Sequence, residues 1–242
     1  MGGILSMKPT LDYFFSETDD FYIPDVFKEI EYPWEAIDKA GDILKSTVVD
    51  DNICEIAGVT KGRVHFYDNY SIGRGTVIYN DVTIMGPVII GENCEIMPGA
   101  LIRPGTIIGN NCIIGHGCEI KRSVVQNFAK VQSMSFVGDS VIGKAARIGS
   151  GVIVANRNFN QSSIKVKAND FIKDLNTTFF GCVLGDNSRI GANAATQPGT
   201  LIGPYSWIYP TTAVRGFIPA CKRIYNKKTI CMLDNEKIEL HP

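Results

Sequence analysis

Residues 72–121 read IGRGTVIYNDVTIMGPVIIGENCEIMPGALIRPGTIIGNNCIIGHGCEIK. Within that stretch Ile72, Ile78, Ile84, Ile90, Ile96, Ile102, Ile108, Ile114 and Ile120 stand six residues apart without a slip. A period of six matches neither the 3.6 of a helix nor the 2 of an ordinary strand. It is the pattern of hexapeptide turns in a parallel β-helix. Three hexapeptides close one triangular coil, each side a short strand whose aliphatic residue points to the axis, and coils stack about 4.8 Å apart. Ile72, Ile90 and Ile108 then form one internal ladder, and Ile84, Ile102 and Ile120 another.

After Ile120 the comb shortens by one residue to Val125, Val131 and Val137, and shortens again to Ile142, Ile148 and Val154. Periodicity is lost over 155–181, a stretch rich in asparagine that must leave the prism as a long loop, and such excursions usually carry function. The comb resumes at Leu184, Ile190, Thr196, Ile202, Ile208 and Val214. The expected architecture is all-β: a parallel β-helix over 49–218 with a loop insertion at 155–181, and a basic then acidic tail over 219–242. About seven to eight coils would make a rod roughly 35 Å long. Residues 1–48 lie outside the repeat. There Trp34, Ile37, Ala40 and Leu44 share one helix face behind Pro33, so a short helical segment is expected to cap the open N-terminal end, where strand edges are unpaired. Hexapeptide coils of this kind wind left-handed, against the usual rule for parallel crossovers, and that hand is expected here.

The chain has 242 residues, 45% of them apolar, and a formal net charge of −1, which argues against coating nucleic acid or an anionic membrane by long-range charge. No basic-then-apolar leader marks the N-terminus, so a cytoplasmic chain is expected. Seven cysteines with no C-x-x-C pair read as reduced thiols, with no metal site. Cys94, Cys112 and Cys118 each fall four residues after a comb isoleucine, where a small side chain packs near a corner.

Arg103 and Lys121 both follow a comb isoleucine and are 18 residues apart, so they should stand side by side on adjacent coils. Two cations so placed repel unless an anion lies between them. A phosphate is one reading. Neutralisation by Glu119, across Ile120 from Lys121, or by a carboxylate of a neighbouring chain is the other. Asn156, Arg157, Lys165 and Lys167 in the insertion could close over the same face, or be an ordinary solvated loop.

The stretches IRPGTIIGNNCIIGHGCEIKRSVV, KVQSMSFVGDSVIGKAARIGSGVIVANRNF and GPYSWIYPTTAVRGFIP resemble the C-terminal β-helix domain of the bifunctional sugar-1-phosphate nucleotidyltransferase/acetyltransferases, which make UDP-N-acetylglucosamine. DYFF and YPWEAI are similar to that family's linker and helix, so the resemblance runs from about residue 10 to 220. No Gly-rich nucleotide-binding turn precedes it, and pyrophosphorylase activity is not expected. The resemblance implies acetyl transfer from acetyl-CoA to an amino-sugar 1-phosphate or related sugar, in a homotrimer with sites between subunits. It implies phosphate binding by Arg103 and Lys121, substrate positioning by Asn156, and further contacts from Lys165 and Lys167.

One segment departs from the pattern. The family's KxxHLSYxGD carries a histidine that takes the proton of the attacking amine. Here the run from Lys130 to Asp139 puts Ser133 at the histidine position and Phe136 at the tyrosine position. A serine hydroxyl without an activating partner is no base, and losing a positioned base costs about 10² to 10⁴ in rate. His116 lies in a different coil and reads as a surface histidine. Two functions remain open: a sugar-phosphate acyltransferase with weakened catalysis at Ser133, or a catalytically degenerate trimeric module that binds a sugar phosphate or nucleotide sugar.

Overall fold

The computed structural model describes residues 8–226. Three parallel sheets of nine, nine and eight strands form the sides of a triangular prism, each strand pairing with the strand three further along the chain once the inserted hairpin Lys165–Ala168 and Phe171–Asp174 is set aside. That makes nine coils, the last lacking its third side, where the comb had suggested seven to eight. The coil beyond the expected span is the last, Phe217–Ile218 and Arg223–Ile224, which carries the ladder past residue 218. The rest of the expected tail, 227–242, lies outside the described residues.

The comb residues are the core. On the first face Ile72, Ile90, Ile108, Val125, Ile142, Leu184 and Ile202 stack in direct register. Nearly all are fully buried, each contributing roughly 1.5–3 kcal/mol of apolar transfer. The one-residue slips are taken up at the corners, so Ile108 still meets Val125. Cys94, Cys112, Cys118 and Cys182 are buried in the same core. Burial pushes the Cys182 thiol up to about 12.

The helical segment is present as Ala36–Leu44, preceded by a 3₁₀ turn at Pro33–Glu35. It does not cross the open end of the prism. Residues 10–48 run along the outside of the first face, from the C-terminal coils back to the first. Tyr13 Oη accepts from Ala220 N, Phe14 O accepts from Asp186 N, and Asn127 Nδ2 donates to Asp20 O. The reason lies in the outward positions of that face: Ile89, Ile107, Val124, Val141, Val183 and Leu201 are apolar and pack beneath Phe14, Phe15, Phe27 and Leu44 in a second core. An apolar outer face needs a cover more than a small open end does. Among the described residues none covers that end, and Cys54–Ile56 is exposed throughout.

Residues 155–181 are not a structureless loop. Lys165–Ala168 and Phe171–Asp174 pair antiparallel as a hairpin, and Ile164, Val166 and Phe180 anchor it on the second core. No helix among the described residues is long and apolar enough to cross a membrane.

Candidate functional site

Arg103 and Lys121 occupy the third face in the register expected of them: Glu119 and Ile120 pair with Leu101 and Ile102, and Arg103 N donates to Ile120 O at 2.8 Å. They do not share a single partner. Arg103 Nη1 donates to Glu119 Oε1 at 2.7 Å, while Lys121 Nζ lies 3.5 Å from Asp139 Oδ2. Of the two readings left open for this pair, the side chains adopt neutralisation, with Glu119 on Arg103 and Asp139 beside Lys121. Ile120 points in, so both its neighbours point out, and Glu119 reaches diagonally to Arg103.

Asp139 is the hub of the site, and sequence reasoning gave it no role. Its carboxylate is 1% exposed, yet its Oδ1 accepts from Arg122 Nε and its Oδ2 from Asn156 Nδ2, each at 2.6 Å. Arg122 extends to the Phe179 carbonyl at 3.5 Å and to Asp38 of the covering helix at 3.8 Å. The Phe179 ring takes the Lys121 ammonium at 4.6 Å and the Arg157 guanidinium at 5.0 Å from its centroid. Phe136 lies across Gly138: a Cβ at that glycine would come within 2.8 Å of the ring and 2.6 Å of Asn156 Nδ2. Arg103, Lys121, Phe136 and Asn156 are thus gathered on one face and its trailing corner, and Arg122, Asp139 and Phe179 complete the group. The Lys121–Arg122 pair and the Gly138–Asp139 corner were legible signals; Phe179 had none, since nothing in the insertion's pattern brings it back to the prism.

Ser133 sits at the opposite end of the Phe136–Gly138 strand, in the preceding turn. Met134 N donates to His116 O and Gly151 N to Ser133 O, so His116, Ser133 and Ser150 form one column up the corner. Among the described residues no side chain hydrogen-bonds the Ser133 hydroxyl, so nothing there would draw off its proton. His116 is turned towards the coil below, with Nδ1 2.6 Å from Pro98 O.

Lys165 and Lys167 are not brought to Arg103 and Lys121. They line a separate concavity of about 390 Å³ with Asn158, Ser163 and Pro198, and Lys165 Nζ lies 3.9 Å from Asp174 Oδ2. Among the described residues no group of three His, Cys, Asp or Glu side chains is placed to hold a metal.

The family model described as the GMPPB C-terminal domain matches residues 84–178. A bifunctional sugar-1-phosphate nucleotidylyltransferase/acetyltransferase of Sulfurisphaera tokodaii is 33% identical over 188 residues, covering 77% of this chain and 45% of that protein. The bifunctional protein GlmU of Methanococcus aeolicus is 30% identical over 229 residues, covering 87% of this chain and 50% of that protein. Among solved structures, the acetyltransferase domain of PglB from Neisseria gonorrhoeae in complex with acetyl coenzyme A shows 12% identity and a TM-score of 0.27, covering 76% of this chain and 63% of that one. A superposition that loose transfers no residue.

By fold and sequence the chain is a hexapeptide-repeat β-helix of the kind that forms the C-terminal acyltransferase domain of the bifunctional sugar-1-phosphate enzymes. It spans about half the length of the curated relatives it matches.

Proposed function

We propose that the protein is a sugar-phosphate acyltransferase of the hexapeptide-repeat type, transferring an acetyl group from acetyl-CoA to an amino-sugar 1-phosphate, as a homotrimer. The observation that carries this is the convergence of Arg103, Lys121, Phe136 and Asn156 on one face around buried Asp139. Asp139 holds Asn156 and sits beside Lys121, so the donors are oriented before any ligand arrives. The Arg103–Glu119 pair is about one-third exposed and worth at most about 1 kcal/mol, so a sugar phosphate that also gains contacts to its hydroxyls can displace Glu119. With Ser133 in place of a base, transfer rests on alignment of amine and thioester and is slow.

Purified protein given acetyl-CoA and glucosamine 1-phosphate should release thiol slowly, and Arg103→Ala should abolish the release. Ser133→His should raise it by about 10² or more if the rest of the site is intact. The unpartnered Ser133 hydroxyl favours a second reading, a binding module without turnover. A thermal shift with glucosamine 1-phosphate and no thiol release, in wild type and Ser133→His alike, would select it. Neither shift nor release would refute both.

A further inference from the structure

A further concavity opens at the corner where the chain passes from the third face to the first, and three separate stretches of sequence meet around it. The covering segment supplies Trp34, Glu35 and Asp38, the prism corner supplies Arg122, and the inserted hairpin with the chain behind it supplies Lys173 and Phe180. The hollow holds about 320 Å³, inside the range of small-molecule pockets, which begins at about 300 Å³.

Its polar groups are fixed from behind. Glu35 Oε2 accepts from Glu31 N and Tyr32 N at 2.9 Å each, which leaves Oε1 to face Lys173 Nζ at 3.5 Å. The Lys173 ammonium lies over the Tyr32 ring, 4.2 Å from its centroid. Arg122 is anchored by Nε on Asp139 Oδ1 at 2.6 Å, and its Nη1 lies 3.8 Å from Asp38 Oδ1. Charge-assisted hydrogen bonds run at about 2.7–2.9 Å, so both pairs that bridge the hollow are long and keep donors and acceptors to spare. Asp174, also on the rim, is taken up by Ser163 Oγ and Asn176 N.

The charges select the ligand by exclusion and by match. Glu35 and Asp38 repel an anion, and Arg122 and Lys173 repel a cation. A hydroxyl donates and accepts at once, so a carboxylate beside a cation satisfies both of its functions. Between the two pairs the wall is apolar: Trp34, stacked on Tyr32 with centroids 4.8 Å apart and planes 7° from parallel, and Phe180. An aromatic wall of that kind suits the C–H face of a sugar ring.

We infer that this hollow binds an uncharged monosaccharide, whose hydroxyls complete the Glu35–Lys173 and Asp38–Arg122 pairs while its ring lies against Trp34 and Phe180. The site is separate from the Arg103 and Lys121 pair and stands whether or not the protein transfers acetyl groups. The chain has two tryptophans, so Trp207→Phe leaves Trp34 as the single indole reporter. In that background the full chain would be titrated with methyl α-glucoside, methyl α-galactoside and methyl α-mannoside, and with the charged sugars glucuronate and glucosamine, while Trp34 fluorescence is followed. A saturable response to at least one glycoside is expected, threefold or more tighter than to either charged sugar. Asp38→Ala and Lys173→Met should each weaken that glycoside fivefold or more, and Arg103→Gln/Lys121→Gln should change its affinity less than twofold. Unchanged far-ultraviolet circular dichroism in each variant excludes loss of fold as the cause. No saturable response to any glycoside, tighter binding of glucuronate or glucosamine, or full affinity in either Asp38→Ala or Lys173→Met overturns the proposal.

Discussion

On the third face Arg103 and Lys121 each have a carboxylate in reach, Glu119 at 2.7 Å and Asp139 at 3.5 Å, whereas on the second face Lys130, Arg147 and Arg189 stack with none among the described residues. The prism geometry is the same; what differs is the residue on the other side of the comb position. Both neighbours of an inward aliphatic point outward, so a cation after the comb can meet a carboxylate before it, as Arg103 meets Glu119 on the next coil. On the second face the cations themselves fill the position before the comb, and Gly149 and Gly191 fill the position after it. Stacked cations are therefore already neutralised on the third face, where a ligand must displace Glu119, and left without a carboxylate on the second.

The contrast can be broken most severely at Asp139. Asp139→Ala leaves the partly exposed Arg122 and Lys121 without their carboxylate and frees Asn156, and should lower stability by about 1–3 kcal/mol, read by chemical denaturation. A loss under about 1 kcal/mol would show that the third-face cations do not depend on it. A smaller effect of opposite sign is expected on the second face: Arg147→Gln/Arg189→Gln should raise stability by about 0.5–1 kcal/mol at low ionic strength, and the gain should fade with added salt. Arg103→Gln, which removes a neutralised cation, should instead cost up to about 1 kcal/mol. The smallest change is a conversion of one face towards the other. Glu119→Gln leaves Arg103 without its partner and should tighten glucosamine 1-phosphate by up to about fivefold in a thermal-shift titration; unchanged or weaker affinity would mean that Glu119 does not compete with the ligand.

Much of the fold was legible because a six-residue comb has one structural solution, and the register of Arg103 with Lys121 followed from counting. The outer faces were harder to read. Apolar residues before the comb recur on every third hexapeptide, at Ile89, Ile107, Val124, Val141, Val183 and Leu201, and this doubled pattern announces a covered side; the N-terminal segment was expected over the open end because that signal competes with the comb itself. The cation column was equally visible, as Lys130, Arg147, Arg189 and Arg223 before comb positions, but it acquires meaning only when the coil slips are placed, since 17, 42 and 34 residues separate its members along the chain. Asp139 was hidden for a different reason. A carboxylate at a corner reads as a turn residue until Asn156, 17 residues on, and Arg122, 17 residues back, are seen to close on it.

A crystal structure grown with glucosamine 1-phosphate tests the central claim most directly. The account predicts the phosphate bound between Arg103 and Lys121, with Glu119 displaced. Phosphate lodged on Arg147 and Arg189, with Arg103 still paired to Glu119, would contradict it.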